Sequence, residues 1–98
     1  LRQQAGVLSL GTSAAGMSLG EAYYRRKISA PGDQRHLAHL AHLYQPSGQA
    51  RLLADATGLQ GAVHVIANAC ASGSNAIGHA FHLVKNGRVR RAVAGGYD

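Results

Sequence analysis

The single cysteine of this chain, Cys70, stands between an apolar run at 63–67 and a run of small residues at 68–78. A strand that turns directly into a helix there would place the thiol at the helix N-terminus. Unpaired N–H groups and the positive end of the helix dipole stabilise a thiolate at that position. The small neighbours leave room for a substrate, so the pattern indicates a nucleophile; the ordinary alternative is a small core residue.

Histidines are the usual bases for such a thiol, but none is well placed by sequence. His64 precedes the cysteine by six residues in the predicted strand, about 20 Å away if extended. His79 and His82 lie along the following helix, far from its N-terminus. No local base for Cys70 is visible.

Three further histidines, His36, His39 and His42, are spaced by three and suggest a metal site. On a helix this spacing spreads the outer pair over about 120°, and no carboxylate joins them. Leucines at every third position favour an ordinary helix whose histidines flank its apolar stripe. The glycines near 11–16 and 95–96 match no phosphate-binding motif, so we predict neither a metal nor a cofactor.

The first two predicted helices follow a strand at 7–10. Ser18 and Glu21 form a capping box that predicts the start of helix one, which ends in the basic residues 25–27. Asp33 is the predicted N-cap of helix two, which carries leucines at every third position and stops at the 46–48 break.

The remaining pattern predicts two more helices and two more strands. Helix three runs from Gln49 to Thr57 and ends at Gly58, before a turn at Gly61 and the strand at 63–67. Helix four covers about 71–86 and precedes a closing strand at 92–94. Its apolar spacing predicts that three side chains are buried: Ile77, Phe81 and Val84.

Strands that alternate with helices predict an α/β fold, layered α-β-α with a mainly parallel sheet. The 98 residues would form one incomplete domain, 1–98, that looks truncated at both ends. Three short strands bury little core, so we expect poor stability in isolation.

The net charge of +6, from ten Lys and Arg against four Asp and Glu, favours acidic partners. Nucleic acid, an anionic membrane and an acidic protein all qualify, but no nucleic-acid motif accompanies the basic clusters at 25–27 and 85–91. The ordinary explanation of these basic clusters is that they are solvated charges at helix ends. No apolar run approaches about 20 residues, no signal peptide is evident, and a lone cysteine favours the cytoplasm.

Four sequence blocks together resemble the N-terminal half of β-ketoacyl-acyl carrier protein synthases, condensing enzymes with the thiolase fold. The Gly6-Val7 strand leads to a G-T-x-x-G-like turn, and Leu59-Gln60-Gly61 resembles the approach to the nucleophile. The most specific block is Ala69-Cys70-Ala71-Ser72-Gly73 with Ala76-Ile77-Gly78, and Ala94-Gly95-Gly96-Tyr97-Asp98 matches the strand that ends in A-G-G. The likeness covers nearly the whole chain.

This resemblance implies that Cys70 attacks an acyl thioester on a phosphopantetheine arm, with its backbone N–H as an oxyanion donor. Decarboxylation of malonyl-carrier protein then yields the carbon nucleophile of a Claisen condensation, in fatty acid or polyketide synthesis. Two histidines and a lysine belong to the C-terminal half in this family, so the 98 residues alone should not condense anything. A homodimer is also implied.

An acidic acyl carrier protein would suit the basic surface of a synthase. The candidate docking residues are Arg25, Arg26, Lys27, Lys85, Arg88, Arg90 and Arg91. Three other functions remain open: a thiolase-type enzyme that uses coenzyme A thioesters, a non-catalytic subunit of a condensing pair, and a basic interaction module. A second downstream cysteine would indicate the thiolase, whereas indifference to Cys70→Ala would indicate the interaction module.

Overall fold

The computed structural model describes residues 5–30, 32 and 35–98. Within them the chain runs strand, helix, helix, helix, strand, helix, strand, as the sequence predicts. Short 3-10 turns at Arg35–Leu37 and Ala69–Ala71 precede the second and fourth helices. The elements are β1 (Ala5–Gly11), α1 (Met17–Ser29), α2 (Ala38–Tyr44), α3 (Pro46–Thr57), β2 (Gln60–Ile66), α4 (Ser72–Lys85) and β3 (Ala92–Gly96).

The three strands form one parallel sheet in the order β2-β1-β3. Ser9 at the centre lies opposite His64 on one side and Ala94 on the other, so these three side chains share a face. That face is covered by α4, and the opposite face is covered by α3. The predicted α/β fold with a parallel sheet between helical layers is therefore confirmed, and it is a partial thiolase-like fold.

The core lies between the sheet and α3. Leu8 and Leu10 of β1 pack with Ala50 and Ala54 of α3, and all four are buried. Neighbouring side chains from the other strands, the loop before β2 and the end of β3 pack against them: Leu59, Val63, Val65, Val93 and Tyr97. Alternate positions along the strands supply these residues, as expected for a sheet covered on both faces.

The other face of the sheet holds α4 through small residues. Ala76 and Ala80 are buried against it, and the buried Ser9 hydroxyl donates a hydrogen bond of 2.9 Å to the Ala76 carbonyl. Because alanine side chains are short, the helix backbone comes close enough to the strand for this bond.

The predicted burial of Ile77, Phe81 and Val84 is wrong for the described chain. Their exposed fractions are 55%, 58% and 42%, because the helix turns its alanine stripe inward and this apolar stripe outward. Periodicity correctly indicates two apolar faces on α4, but only the tertiary contacts decide which one meets the sheet.

The predicted capping box at the start of α1 is also wrong. The helix begins at Met17, and the Gly16 carbonyl accepts hydrogen bonds from the N–H groups of Leu19 and Gly20. Ser18 is therefore already inside the first turn, and no side chain caps the helix. Asp33, the predicted N-cap of helix two, lies outside the described residues.

Two boundaries around α3 and β2 differ from prediction. Pro46 occupies the first turn of α3 instead of breaking the chain, because that position needs no backbone N–H. Gly58 ends the helix in the left-handed conformation, φ 68°, which confirms its predicted role. Gly61 lies inside β2 rather than in a turn, and its φ of 131° and close approach to Gly6 both require glycine.

Among the helices of residues 5–30, 32 and 35–98, none combines the length and apolarity that a bilayer crossing needs.

Candidate active site

Cys70 is exposed on the short turn that joins β2 to α4. β2 ends at Ile66 and α4 begins at Ser72, so the thiol lies just before the first turn of the helix. Ala69, directly before it, has φ 59°, a left-handed conformation that is uncommon for residues other than glycine. Such strain costs on the order of 1 kcal/mol or more and occurs frequently at functional sites. The backbone thus forms a tight elbow that presents the sulfur.

The side chain of Ser72 holds this elbow together. Its buried hydroxyl donates to the Ala69 carbonyl at 2.6 Å and accepts from the Asn68 N–H at 2.8 Å. These bonds bracket Cys70 from both sides, and they satisfy backbone groups that neither β2 nor α4 pairs.

Replacing Ser72 by alanine is expected to destabilise the protein by about 1–3 kcal/mol, because the change removes both bonds at a buried position. Urea unfolding of the full-length protein measures the loss. Ser74→Ala, at an exposed position of the same helix, is the matched control and should change stability little. Equal stability of the two variants would show that the elbow does not depend on Ser72.

Glycines allow the first turn of α4 to sit on the ends of β1 and β3. A side chain at Gly11 would overlap the Ser72 carbonyl, and one at Gly96 would lie 3.2 Å from the Gly73 Cα. Cys70 is thereby held at the carboxyl edge of the parallel sheet, where α/β proteins commonly bind ligands.

Asp98 ties the end of β3 to the turn that follows β1. Its carboxylate accepts hydrogen bonds from the N–H groups of Ser13 and Ala14 at 2.9 Å, and from the hydroxyls of Thr12 and Ser13 at 2.9 and 2.6 Å. The bond from the Ala14 N–H, followed by those from Ser13 and Thr12, holds the pKa of Asp98 far below its usual range. The sequence motif alone did not reveal this role.

The lowered pKa of Asp98 predicts an acid-sensitive contribution to stability. A carboxylate with a depressed folded-state pKa contributes stability above its unfolded pKa, about 3.9, and loses it as the pH falls towards the folded value. Asp98→Asn should therefore be less stable than wild type at pH 7, and the gap should close below about pH 4. Urea unfolding across this range measures it, with the exposed Asp55→Asn on α3 as control. A gap independent of pH would contradict the assignment.

Tyr97 lies between this carboxylate and the core. Its hydroxyl is buried, as is Oε1 of Gln49. Burial first, and then the nearby Asp98 charge, raises the pKa of Tyr97, so the phenol stays neutral at physiological pH.

A cleft of about 530 Å³ opens at Cys70. It is large enough for the reacting end of a thioester beside the thiol. Its lining consists of the strand ends, the β1–α1 turn and the elbow, namely Gly11, Thr12, Ser13, Ala69, Cys70, Ser72, Gly73, Gly96, Tyr97 and Asp98.

This arrangement coincides with a family match over nearly the whole chain. Residues 3–98 match the family described as "Beta-ketoacyl synthase, N-terminal domain". The chain belongs to the β-ketoacyl synthase family.

Three Streptomyces proteins named polyketide beta-ketoacyl synthase 1 are similar to this chain. The S. cyaneus protein is 32% identical over 97 residues, covering 93% of this chain and 23% of the relative. For S. virginiae the identity is 36% over 92 residues, 88% of this chain and 22% of the relative. The S. halstedii protein is 37% identical over 60 residues, which cover 61% of this chain and 14% of the relative. The chain thus spans less than a quarter of the length of these relatives.

The structure brings His64 and His79 together, which sequence reasoning missed. His79 Nε2 lies 3.0 Å from His64 Nδ1, and neither residue lines the cleft at Cys70. Sequence spacing relates each of these histidines to Cys70 but not to the other. The usable signal was the sheet register, because His64 shares the face of Ser9 that α4 covers.

The three histidines predicted beside the apolar stripe of helix two are all exposed: His36 in the 3-10 turn, and His39 and His42 in α2. No group of three His, Cys, Asp or Glu side chains within the described ranges is arranged to hold a metal ion.

The basic cluster at 25–27 lies at the C-terminal end of α1, whereas the cluster at 85–91 begins at the last residue of α4 and continues through the segment before β3. Arg25 pairs with Glu21, and Lys27 lies 5.7 Å from the Tyr23 ring centre at the end of α1. Lys85 ends α4. Since α4 has 14 residues, about 1.5 Å each, Lys85 is roughly 20 Å from the helix end next to Cys70.

Proposed function

We propose that this chain is the nucleophile-bearing part of a β-ketoacyl synthase that extends an acyl chain by decarboxylative Claisen condensation. The observation that carries the proposal is the exposed Cys70 thiol, held on the elbow and open to the cleft, within a member of this family. The three similar polyketide synthases support a polyketide product over a fatty acid.

In the first half of this reaction the Cys70 thiolate attacks the carbonyl carbon of an acyl group on a carrier-protein phosphopantetheine. The tetrahedral oxyanion accepts a hydrogen bond from the Cys70 backbone N–H, and it collapses by expelling the carrier thiolate. The acyl group is then a thioester of Cys70. The nearby start of α4 favours both the thiolate and the oxyanion, because its dipole is positive at that end.

In the second half malonyl-carrier protein loses carbon dioxide, and the resulting enolate carbon attacks the acyl-cysteine carbonyl. The new carbon–carbon bond forms as the Cys70 sulfur leaves as a thiolate. The histidines and lysine that assist this step in the family lie outside the chain in our proposal. No histidine of residues 5–30, 32 and 35–98 lines the cleft. No metal or cofactor takes part, since the phosphopantetheine arm is a substrate carrier.

The proposal is tested by trapping the acyl-enzyme. The full-length protein is incubated with an acyl-carrier thioester in the absence of malonyl substrate, and digested peptides are analysed by mass spectrometry. We expect the acyl mass on the peptide that contains Cys70. An acyl group on another residue, or no adduct with carrier-bound thioesters but a ready adduct with coenzyme A thioesters, would refute the carrier-dependent synthase.

The rest of the synthase is proposed to cover the outer face of α4. Ile77, Phe81 and Val84 form an exposed apolar stripe there, and the similar synthases are more than four times as long as this chain.

We also propose a homodimer, which light scattering on the full-length protein would detect. A cytoplasmic location suits the lone thiol, which stays reduced there.

The acyl carrier protein is proposed to bind through the basic clusters. Because Lys85 is roughly 20 Å from the Cys70 end of α4, the acyl group would have to reach the thiol on a long flexible arm. A phosphopantetheine-borne substrate provides such an arm.

Charge reversal tests this docking surface. The double change Arg88→Glu and Arg90→Glu should weaken binding of the carrier protein by about tenfold, chiefly through a slower association rate that is sensitive to salt. Surface plasmon resonance on the full-length synthase at two salt concentrations measures it. Arg51→Glu, exposed on α3, is the control. Unchanged affinity in the double variant would place the carrier elsewhere.

A further inference from the structure

Two half-buried imidazoles join the edge strand β2 to α4, away from the cleft at Cys70. His64 Nδ1 and His79 Nε2 are 3.0 Å apart, and the ring centres are 4.7 Å apart at an angle of 44°. This nitrogen separation is that of a hydrogen bond. Such a bond requires one facing nitrogen to carry a proton and the other to lack one.

Two of the three charge states of this pair satisfy the requirement. With both rings neutral, or with one charged, a proton lies on one facing nitrogen only. With both rings charged, each facing nitrogen carries a proton, so the bond is lost and two like charges are in contact. Imidazole is the side chain that changes charge between about pH 5 and 8.

The described strands and α4 offer no negative charge to offset a second positive one. Residues 72–85 of α4 contain no acidic residue, and its other titratable groups are His82 and Lys85. Among the residues of β1, β2 and β3, His64 is the single titratable one. Arg51 and Asp55 of α3 are exposed on the layer that covers the opposite face of the sheet.

We propose that the His64–His79 contact is a pH-dependent clamp between β2 and α4, closed while at most one ring is charged and open when both are. β2 and α4 are the two elements that flank the elbow carrying Cys70. The clamp therefore makes the packing of β2 against α4 depend on pH. The inference depends on the geometry of the pair and not on the proposed condensation reaction.

Amide hydrogen exchange followed by mass spectrometry tests the clamp in the full-length protein. Peptides covering 60–66 and 72–85 are compared between wild type and His64→Leu at pH 8 and at pH 5. We expect about fivefold faster exchange in the variant at pH 8, the effect of one net hydrogen bond. At pH 5 the ratio should be smaller than at pH 8, because wild-type molecules in which both rings are charged lack the bond.

A second variant separates the clamp from simple packing. In His79→Gln the amide can accept from a charged His64, and it never acquires a charge itself. The ratio of the exchange rate in this variant to the exchange rate in wild type should therefore be lower at pH 5 than at pH 8. His82→Gln, an exposed histidine on the same helix, should match wild type at both pH values.

The clamp is refuted if the ratio of exchange rates between His64→Leu and wild type is the same at both pH values. It is also refuted if the ratio of exchange rates between His79→Gln and wild type does not change with pH. Should His64→Leu fail to fold, the comparison of His79→Gln with wild type decides alone.

Discussion

Replacing Cys70 by alanine in the full-length protein is expected to abolish condensation, with a fall in kcat of at least about 10³-fold. The change removes the sulfur that carries the acyl group, whereas the alanine methyl occupies the same exposed position on the elbow. The rate of ketoacyl product formation measures the loss, together with the disappearance of the acyl adduct. Thermal unfolding should be nearly unchanged, because the thiol is exposed.

Two further variants make this result specific. Cys70→Ser keeps a weaker nucleophile and should retain slow acyl transfer, since a hydroxyl at neutral pH is far less ionised than a thiol. Ser74→Ala, exposed on α4 and outside the cleft lining, should keep wild-type activity. Acyl transfer by Cys70→Ala at the wild-type rate would show that another group is the nucleophile.

Adding a single methyl group at Gly11 is expected to lower stability by about 1–3 kcal/mol, the usual cost of overpacking. In Gly11→Ala the new Cβ would overlap the Ser72 carbonyl and the Gly73 amide, which are backbone atoms with no alternative rotamer. The first turn of α4 must then move away from β1, and the elbow with Cys70 moves with it. Urea unfolding measures the stability, and the rate of Cys70 alkylation by iodoacetamide reports the displacement.

Gly73→Ala is the matched control on the opposite side of this contact. A Cβ at Gly73 would lie 3.7 Å from the Gly96 Cα, an ordinary van der Waals distance. Since alanine also favours helix over glycine, this variant should be as stable as wild type or slightly more so. A Gly11→Ala protein as stable as Gly73→Ala would show that the strand end and the helix can separate freely.

Sequence reasoning succeeded where the determinants are local. Gly58 ends α3 because a left-handed residue terminates a helix, and that preference is a property of one residue. It failed where two local rules competed. Ser18 and Glu21 have the spacing of a capping box, yet the N-cap is two residues earlier, at Gly16, and the helix starts at Met17. Pro46 favours a break by sequence, yet proline is equally suited to the first turn of a helix, where it lies in α3.

The candidate site divides in the same way. The position of Cys70 between a strand and a helix follows from the apolar run before it and the small residues after it. The hydrogen bonds that hold the surrounding elements in place do not follow from such local patterns, because they join residues far apart in the chain. Ser9 binds the carbonyl of Ala76, 67 residues away, and Asp98 binds Thr12, 86 residues away.

Residue pattern and spacing were thus sufficient for the order of the elements, the parallel α/β class, the family and the position of Cys70 between a strand and a helix, since each depends on chemistry within a few neighbouring positions. The inward face of α4, the pairing of His64 with His79 and the role of Asp98 emerged only from the folded chain. Small side chains let α4 approach β1 closely, and that approach turned its larger apolar residues outward and brought the two histidines together.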